Sequence, residues 1–296
     1  FVMIGDHKQL PAVVGQTPEQ SKVEEACLHK ILLTDCRLSL FERFLKKYGE
    51  DPTIAYMLTR QGRMHPEIAD FPNHFFYQDR LRDAQRPHQL SHLPRQAKEQ
   101  DAVTRILKTQ RTAFFAVRPK EEGTSDKVNE TEAEMVAATI ARIFQLEKEN
   151  FNAEQTVGVI VPYRSQIAAV STAIARHGLD PKSVTIDTVE RFQGSQRKYI
   201  LYSFTVQKYY QLDFLTNNVF FDTDGSLIDR KLNVAMTRAE EHLLLFGNPE
   251  LLAKAYIFYH LLDYLRGRNA LYELSPEEFK ASPLLSCPLS PPIIHP

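Results

Sequence analysis

The sequence lacks most of the features that would assign its class quickly. Three cysteines, Cys27, Cys36 and Cys287, stand in 296 residues. They are too few and too scattered for a zinc site or a disulfide framework, so a reducing cytoplasm is the natural compartment. No apolar run is long enough to span a membrane and no secretory signal is present, so no membrane partner is expected. Lys plus Arg number 36 against 37 Asp plus Glu, a formal net charge of -1. Any nucleic-acid groove would therefore have to be local. No carboxylate cluster has metal-ligand character, so no metal site is expected and a nuclease finds no support. There is no internal repeat, and no G-x-x-x-x-G-K-[ST] phosphate loop occurs anywhere.

What is present fits roughly two domains at about 150 residues each, with at least one sizeable core. Phe1 to Ile4 reads as a buried strand, and GDHKQLPAVV follows at its carboxyl end, where open α/β sheets place ligands. Asp6 and Gln9 stand there, either reading a phosphate or simply closing a Gly-Asp turn. Because the chain opens abruptly on an apolar strand, a preceding segment is expected. Ser39 begins an amphipathic helix read as plain packing. Between Leu58 and Tyr77, Gln61, Arg63 and His65 precede Pro66 and a run of aromatics. The aromatics read as core. Arg63, placed between Gly62 and Met64, can present its planar fork to phosphate oxygens. From Gln78 to Gln110 the composition turns polar and basic, which reads as a loop-rich connection, either a solvated linker or a contact with a nucleic-acid backbone.

Strands and helices then alternate, the sign of a parallel sheet with crossover helices on its faces. Thr112 to Val117, Val157 to Val161, Val184 to Asp187 and Tyr199 to Phe204 read as strands. Asn129 to Glu147 reads as a helix with Asn129 or Thr131 as its cap. Tyr163 and Arg164 stand at a strand's carboxyl end, as a backbone contact or as a structural turn. Gly194 would let backbone N–H groups approach a ligand. The stretch Arg230 to Asn248 places Asn233, Thr237 and Arg238 on a helical turn before the apolar run Leu243 to Phe246. Arg238 reads either as a phosphate-facing arginine or as a solvated surface charge. Glu250 to Tyr264 reads as an apolar packing helix, and the proline-rich tail from Ala281 to Pro296 as lacking regular structure.

Taken together, GDHKQLP, QGRMHPEIADFPNHFFY, VGVIVPYRSQ, TVERFQGSQ and RKLNVAMTRA resemble, in order, the motifs of superfamily 1 helicases of the Upf-like, RNA-decay and replication helicase–nuclease branch. The resemblance covers nearly the whole chain except the tail. It implies an α/β, RecA-like P-loop NTPase fold, a parallel sheet with helices on both faces: the end of a first RecA-like domain, crossing into the second, over residues 1–77, a connection over 78–110, a complete second RecA-like domain over 111–270, and a tail over 271–296. It also implies an ATP-dependent helicase that tracks along single-stranded DNA or RNA, from five-prime to three-prime. By the same resemblance Gln9 senses the γ-phosphate, and Arg63 and Arg238 reach it from the second domain to offset charge that builds during phosphoryl transfer. Asp6, Gln61, Gly194 and Gln196 then belong to the nucleotide site, while Pro162, Tyr163 and Thr188 lie near the nucleic-acid backbone.

Two departures stand out. Gly62 replaces the family's usual tyrosine, so stacking on adenine is lost, and Gln196 replaces a glutamate that bonds the ribose, keeping hydrogen bonding without charge. With no phosphate loop, the chain alone is not expected to hydrolyse ATP. Mg²⁺ ligands and the loop are expected upstream, in a first RecA-like domain of the same protein. The rival reading is a non-catalytic nucleic-acid-binding or scaffolding module that kept the fold.

Overall fold

Short runs of β-branched and aromatic residues without polar interruption become strands covered on both faces, and four such runs build the centre of this protein. The computed structural model describes residues 1–17, 19–99, 101–118, 126–222 and 225–280. Before Arg60 the described residues form two helices, α1 (Ala26–His29) and α2 (Leu40–Tyr48). A capping box starts α2: the Ser39 hydroxyl accepts from the Glu42 N–H and the Glu42 carboxylate accepts from the Ser39 N–H, both at 3.1 Å. The strand expected at Phe1 to Ile4 does not form, and Phe1 and Ile4 are 99% and 88% exposed. An apolar run settles as a buried strand only where neighbours take up its backbone groups, and among the described residues no strand runs beside it.

A short parallel ladder of β1 (Arg60–Gln61) and β2 (Arg82–Asp83) encloses α3 (Pro66–Tyr77). Pro66 occupies the first helical position, where a missing N–H costs nothing, and Gln78 ends the helix in the left-handed region at φ 56°. Ile68, Phe71 and Phe76 of α3 join the core under the main sheet. The stretch expected to cross between domains is thus packed on the sheet. The connection expected over 78–110 also contains a helix, α4 (Ala102–Thr109). Val103, Ile106 and Leu107 bury its apolar face at helical spacing, a signal hidden by the charged residues around it.

The chain continues through β3 (Thr112–Ala116), α5 (Glu130–Glu147), β4 (Val157–Val161), α6 (Arg164–Arg176), β5 (Thr185–Thr188), α7 (Val189–Phe192), β6 (Arg197–Ser203) and α8 (Gln211–Thr216). A hairpin of β7 (Val219–Phe221) and β8 (Leu227–Asp229) leads to α9 (Arg230–Met236) and β9 (Ala239–Gly247). After them come α10 (Pro249–Leu252), α11 (Tyr256–Gly267), β10 (Leu271–Tyr272) and α12 (Pro276–Lys280). The main sheet of the described residues has six strands, all parallel, in the order β10-β3-β9-β6-β4-β5. Side chains of α4, α5, α6 and α12 fill the core on one face, and those of α3, α9 and α11 the core on the other. The α/β fold class with helices on both faces is therefore present.

Two expectations at the carboxyl side change. The helix expected over Glu250 to Tyr264 is split in two, because the chain turns after α10, with the Lys254 N–H donating to the Leu251 carbonyl at 3.1 Å. Leu271–Tyr272 pairs with β3 and extends the sheet, so the tail cannot begin at residue 271. Residues 281–296 lie outside the described residues. No helix among the described residues is long and apolar enough to cross a membrane.

Gly158 shows how tightly β4 is packed. A Cβ there would stand 2.7 Å from Phe192 Cε1 and 2.9 Å from Arg197 Cγ. Gly158→Ala is expected to destabilise the fold by about 1–3 kcal/mol in urea titration, as overpacked core substitutions do; wild-type stability would contradict this packing.

Candidate nucleotide and nucleic-acid sites

Parallel strands present all their amino ends on one side of the sheet and all their carboxyl ends on the other. The candidate residues divide along that line. Arg238 immediately precedes β9, and Gly194 and Gln196 immediately precede β6. Arg63 leads into α3, whose loop is tied to β9 by the His65 N–H donating to the Glu240 carbonyl at 2.7 Å. Pro162 and Tyr163 follow β4 and Thr188 ends β5, at the opposite edge.

At the amino edge, the segment from Asp6 to Leu10 docks on α3, α7 and α9. Asp6 Oδ1 accepts from the Lys8 N–H at 3.0 Å, and Oδ2 accepts from Gln9 Nε2 at 2.9 Å and from the Tyr77 hydroxyl at 2.7 Å. Asn233 Nδ2 donates to the Lys8 carbonyl at 2.8 Å and to Tyr77 Oη at 2.9 Å, and Gln193 Nε2 donates to the Leu10 carbonyl at 3.0 Å. Since the Gln9 amide group is spent on Asp6, its carbonyl is left to accept from Arg238 Nη2 at 3.2 Å.

Arg238 is 1% exposed. Its Nε donates to the Val234 carbonyl at 3.0 Å, its Nη1 to the Ser195 carbonyl at 3.4 Å, and its Nη2 also to Thr237 Oγ1 at 3.0 Å. Half-buried Arg63 donates from Nε to Gln196 Oε1 at 2.9 Å and from Nη1 to the Thr237 carbonyl at 3.1 Å. Every one of these acceptors is neutral. Among the described residues neither guanidinium has a carboxylate partner of its own. Burial, then the nearby Arg63 charge, pulls Arg238 down to about 10, and burial also lowers Arg63. Both cations persist at neutral pH, close enough to repel. An anion arriving between them would relieve that repulsion and recover part of the desolvation cost.

Gln61 and Gln196 hold the loops in place. Gln61 Oε1 accepts from the N–H groups of Arg63 at 3.1 Å and Met64 at 2.9 Å, and its Nε2 donates to the Met64 carbonyl at 2.9 Å. Exposed Gln196 bridges two charges: its Nε2 donates to Glu240 Oε1 while its carbonyl faces Arg63. A carboxylate can only accept, so Glu240 fixes which end of the amide Arg63 meets. Gly194 takes φ +87°, the conformation that favours glycine. Gly62 is exposed, with Arg86 Nε 3.5 Å from where its Cβ would be. Among the described residues no group of three or more His, Cys, Asp or Glu stands ready to hold a metal ion.

Sequence reasoning placed Asn233 beside Arg238 without giving it a role, and missed Tyr77 and Glu240. Tyr77 was expected as core; burial and Asp6 hold its phenol well above the ordinary range, so it stays a donor. The only available signal was its position at the end of a helix that begins beside Arg63.

At the carboxyl edge, Pro162 is buried. Tyr163 stacks on Phe214, with ring centroids 4.9 Å apart, and Lys231 Nζ lies 4.0 Å from the Phe214 centroid. Thr188, half-buried, precedes α7 without a side-chain cap bond. The segment Thr188–Gln196 thus runs from one edge of the sheet to the other and carries candidate residues at both ends.

The sheet is an open, parallel α/β one with a buried and a half-buried arginine at one edge, neither bonded to a carboxylate among the described residues. The AAA domain family matches residues 36–250, so the chain belongs to that family, and it falls among superfamily 1 helicases of the branch that includes the regulators of nonsense transcripts. It is 28% identical over 269 residues to an uncharacterized ATP-dependent helicase of Methanocaldococcus jannaschii, covering 90% of this chain and 35% of that protein. It is 30% identical over 293 residues to regulator of nonsense transcripts 1 of Dictyostelium discoideum, covering 96% of this chain and 19% of that protein. An ATP-dependent helicase of Schizosaccharomyces pombe is 29% identical over 283 residues, covering 92% of this chain and 26% of its own length. The chain thus spans about a third or less of these relatives.

Proposed function

We propose that this chain is the arginine-bearing motor half of an ATP-dependent helicase or translocase acting on single-stranded DNA or RNA in the cytoplasm. One observation carries the reading: Arg63 and Arg238 share the amino edge of the sheet with neither guanidinium bonded to a carboxylate among the described residues, and Arg238 is hydrogen-bonded to Gln9. The terminal phosphoryl group of ATP would sit between the two guanidiniums. Charge that spreads over its oxygens as the bond to the leaving diphosphate breaks would be met by donors already in place. As Arg238 turns to the phosphate it releases the Gln9 carbonyl, so the state of the nucleotide is felt in the segment from Asp6 to Leu10. Thr188–Gln196 joins that event to the strand path at Pro162, Tyr163 and Thr188. The phosphate loop and the ligands for Mg²⁺, which would shield the phosphate charge, are assigned to a first RecA-like domain of the same protein. With glycine at position 62, the base of the nucleotide is held without a stacking side chain there, so selectivity among nucleoside triphosphates is relaxed.

The test is ATP turnover by the intact protein with and without single-stranded DNA or RNA. Acceleration by either strand is expected. Binding of a strand with no turnover in any condition would instead identify a non-catalytic module.

A further inference from the structure

The carboxyl edge carries more than the residues assigned to it so far. Thr188 pairs with Val161, Ile160 with Tyr202, and Ser203 with Phe246. The segments leaving β5, β4, β6 and β9 therefore emerge side by side, in the order Thr188, Tyr163, the loop from Phe204 to Tyr210, and the turn ending at Lys254. At about 4.8 Å between strands, those four exits span about 14 Å.

The exit from β6 is held firmly. Thr205 takes the left-handed region at φ 57°, a conformation that persists only where the surroundings enforce it. Here a fully buried carboxylate does so: Glu132 Oε2 accepts from the Thr205 N–H at 2.8 Å and from the Ser203 hydroxyl at 2.6 Å. Further along, the Tyr210 hydroxyl donates to Asp126, whose charge Lys208 offsets at 2.7 Å, and Phe214 is stacked on Tyr163. Tyr209 sits within this braced loop, yet it is 62% exposed. Its hydroxyl makes no hydrogen bond among the described residues. Lys254 Nζ stands 5.6 Å from its ring centroid.

A single exposed aromatic needs no explanation. A braced one is different when it lies on the same edge as a stacked Tyr–Phe pair, with a lysine against its ring. Such an arrangement offers an unpaired base a flat π-face and a phosphate a cation.

We propose that Tyr209 is a base-stacking residue for single-stranded nucleic acid, extending the strand path past Tyr163 toward β9, with Lys254 as its phosphate partner. The inference rests on the strand-binding reading above, but it can fail separately. The intact protein is titrated against fluorescently labelled 15-nucleotide oligo(dT) and oligo(U), and thermal unfolding checks that each variant is folded. Tyr209→Ala is expected to weaken binding about tenfold, within the range for loss of one aromatic stack, while Tyr209→Phe binds as wild type. Lys254→Ala is expected to lower the salt slope of binding by about 1. Moving one abasic nucleotide along the oligomer should find a position that weakens the wild type but not Tyr209→Ala. If Tyr209→Ala binds as wild type while Tyr163→Ala is weakened, the inference is wrong and the motor reading stands. If the wild type binds neither oligomer, both are wrong.

Discussion

Arg238→Ala lowers ATP turnover by the intact protein by a factor on the order of 10³ or more, the scale of losing an arginine that neutralises phosphoryl-transfer charge. The expectation follows from what surrounds the side chain. Its guanidinium is 1% exposed, and its bonds to the carbonyls of Val234 and Ser195, to the Thr237 hydroxyl and to Gln9 hold it as a rigid fork. With Val234, Ser195 and Thr237 holding it, only the bond to Gln9 has to be exchanged when charge develops beside it. Arg238→Lys keeps a charge but cannot make these bonds together, so most of the loss is expected to remain. Binding of a non-hydrolysable ATP analogue should fall far less than turnover, because an interaction made mainly in the transition state weighs on kcat. Undiminished turnover in a folded alanine variant would remove Arg238 from the chemistry.

The second large effect concerns stability. Asp101 caps α4 through the Thr104 N–H at 2.8 Å and pairs in two places with Arg142, at 2.7 Å and 2.9 Å. Arg142 is 0% exposed. Asp101→Ala strands that cation in the core, and a loss of about 3–5 kcal/mol is expected in urea denaturation. Asp101→Ala combined with Arg142→Met should recover much of it, since the burden lies in the unpaired charge; an equally unstable double variant would refute this account. The same pair sets a pH dependence. Burial alone would raise Asp101, but the hydrogen bonds from Arg142 and Thr104 outweigh it and hold the carboxyl below the usual carboxylate range. A group with a depressed folded pKa contributes its stability above its unfolded value, about 3.9, and loses it as pH falls through the folded one. The wild type should therefore lose stability on acidification below about pH 4, and the double variant should lose less.

Much of the sheet could be read from local pattern, because β4, β6 and β9 are apolar runs with turn residues at their ends, and Asn129 caps α5 as its side chain suggested. Phe1 to Ile4 misled for the same reason: a run can be strand-like in composition and still have no neighbour. The apolar face of α4 was hidden in a charged stretch, and no local feature of Asp101 announces a partner 41 residues away. At the candidate site, the motif resemblance singled out Gln9, Arg63 and Arg238. The neutral acceptors of the two arginines, the Tyr77 hydroxyl between Asp6 and Asn233, and the Glu240 contact that orients Gln196 are products of tertiary packing, which no spacing encodes.

The strand order also dictates when the domain can form. In the sheet β3 touches β10 and β9 only, and β9 spans Ala239–Gly247. A ribosome that has made β3 must add more than a hundred further residues before the first of those partners emerges. Until then Phe114 and Phe115, both 0% exposed in the finished protein, have no sheet to enter. Non-local parallel pairing of this kind is slow and leaves apolar surface uncovered in the meantime. The segment that carries Arg238 is thus also the one that joins β3 to β6, so during synthesis the edge holding Arg63 and Arg238 and the centre of the sheet assemble at the same step.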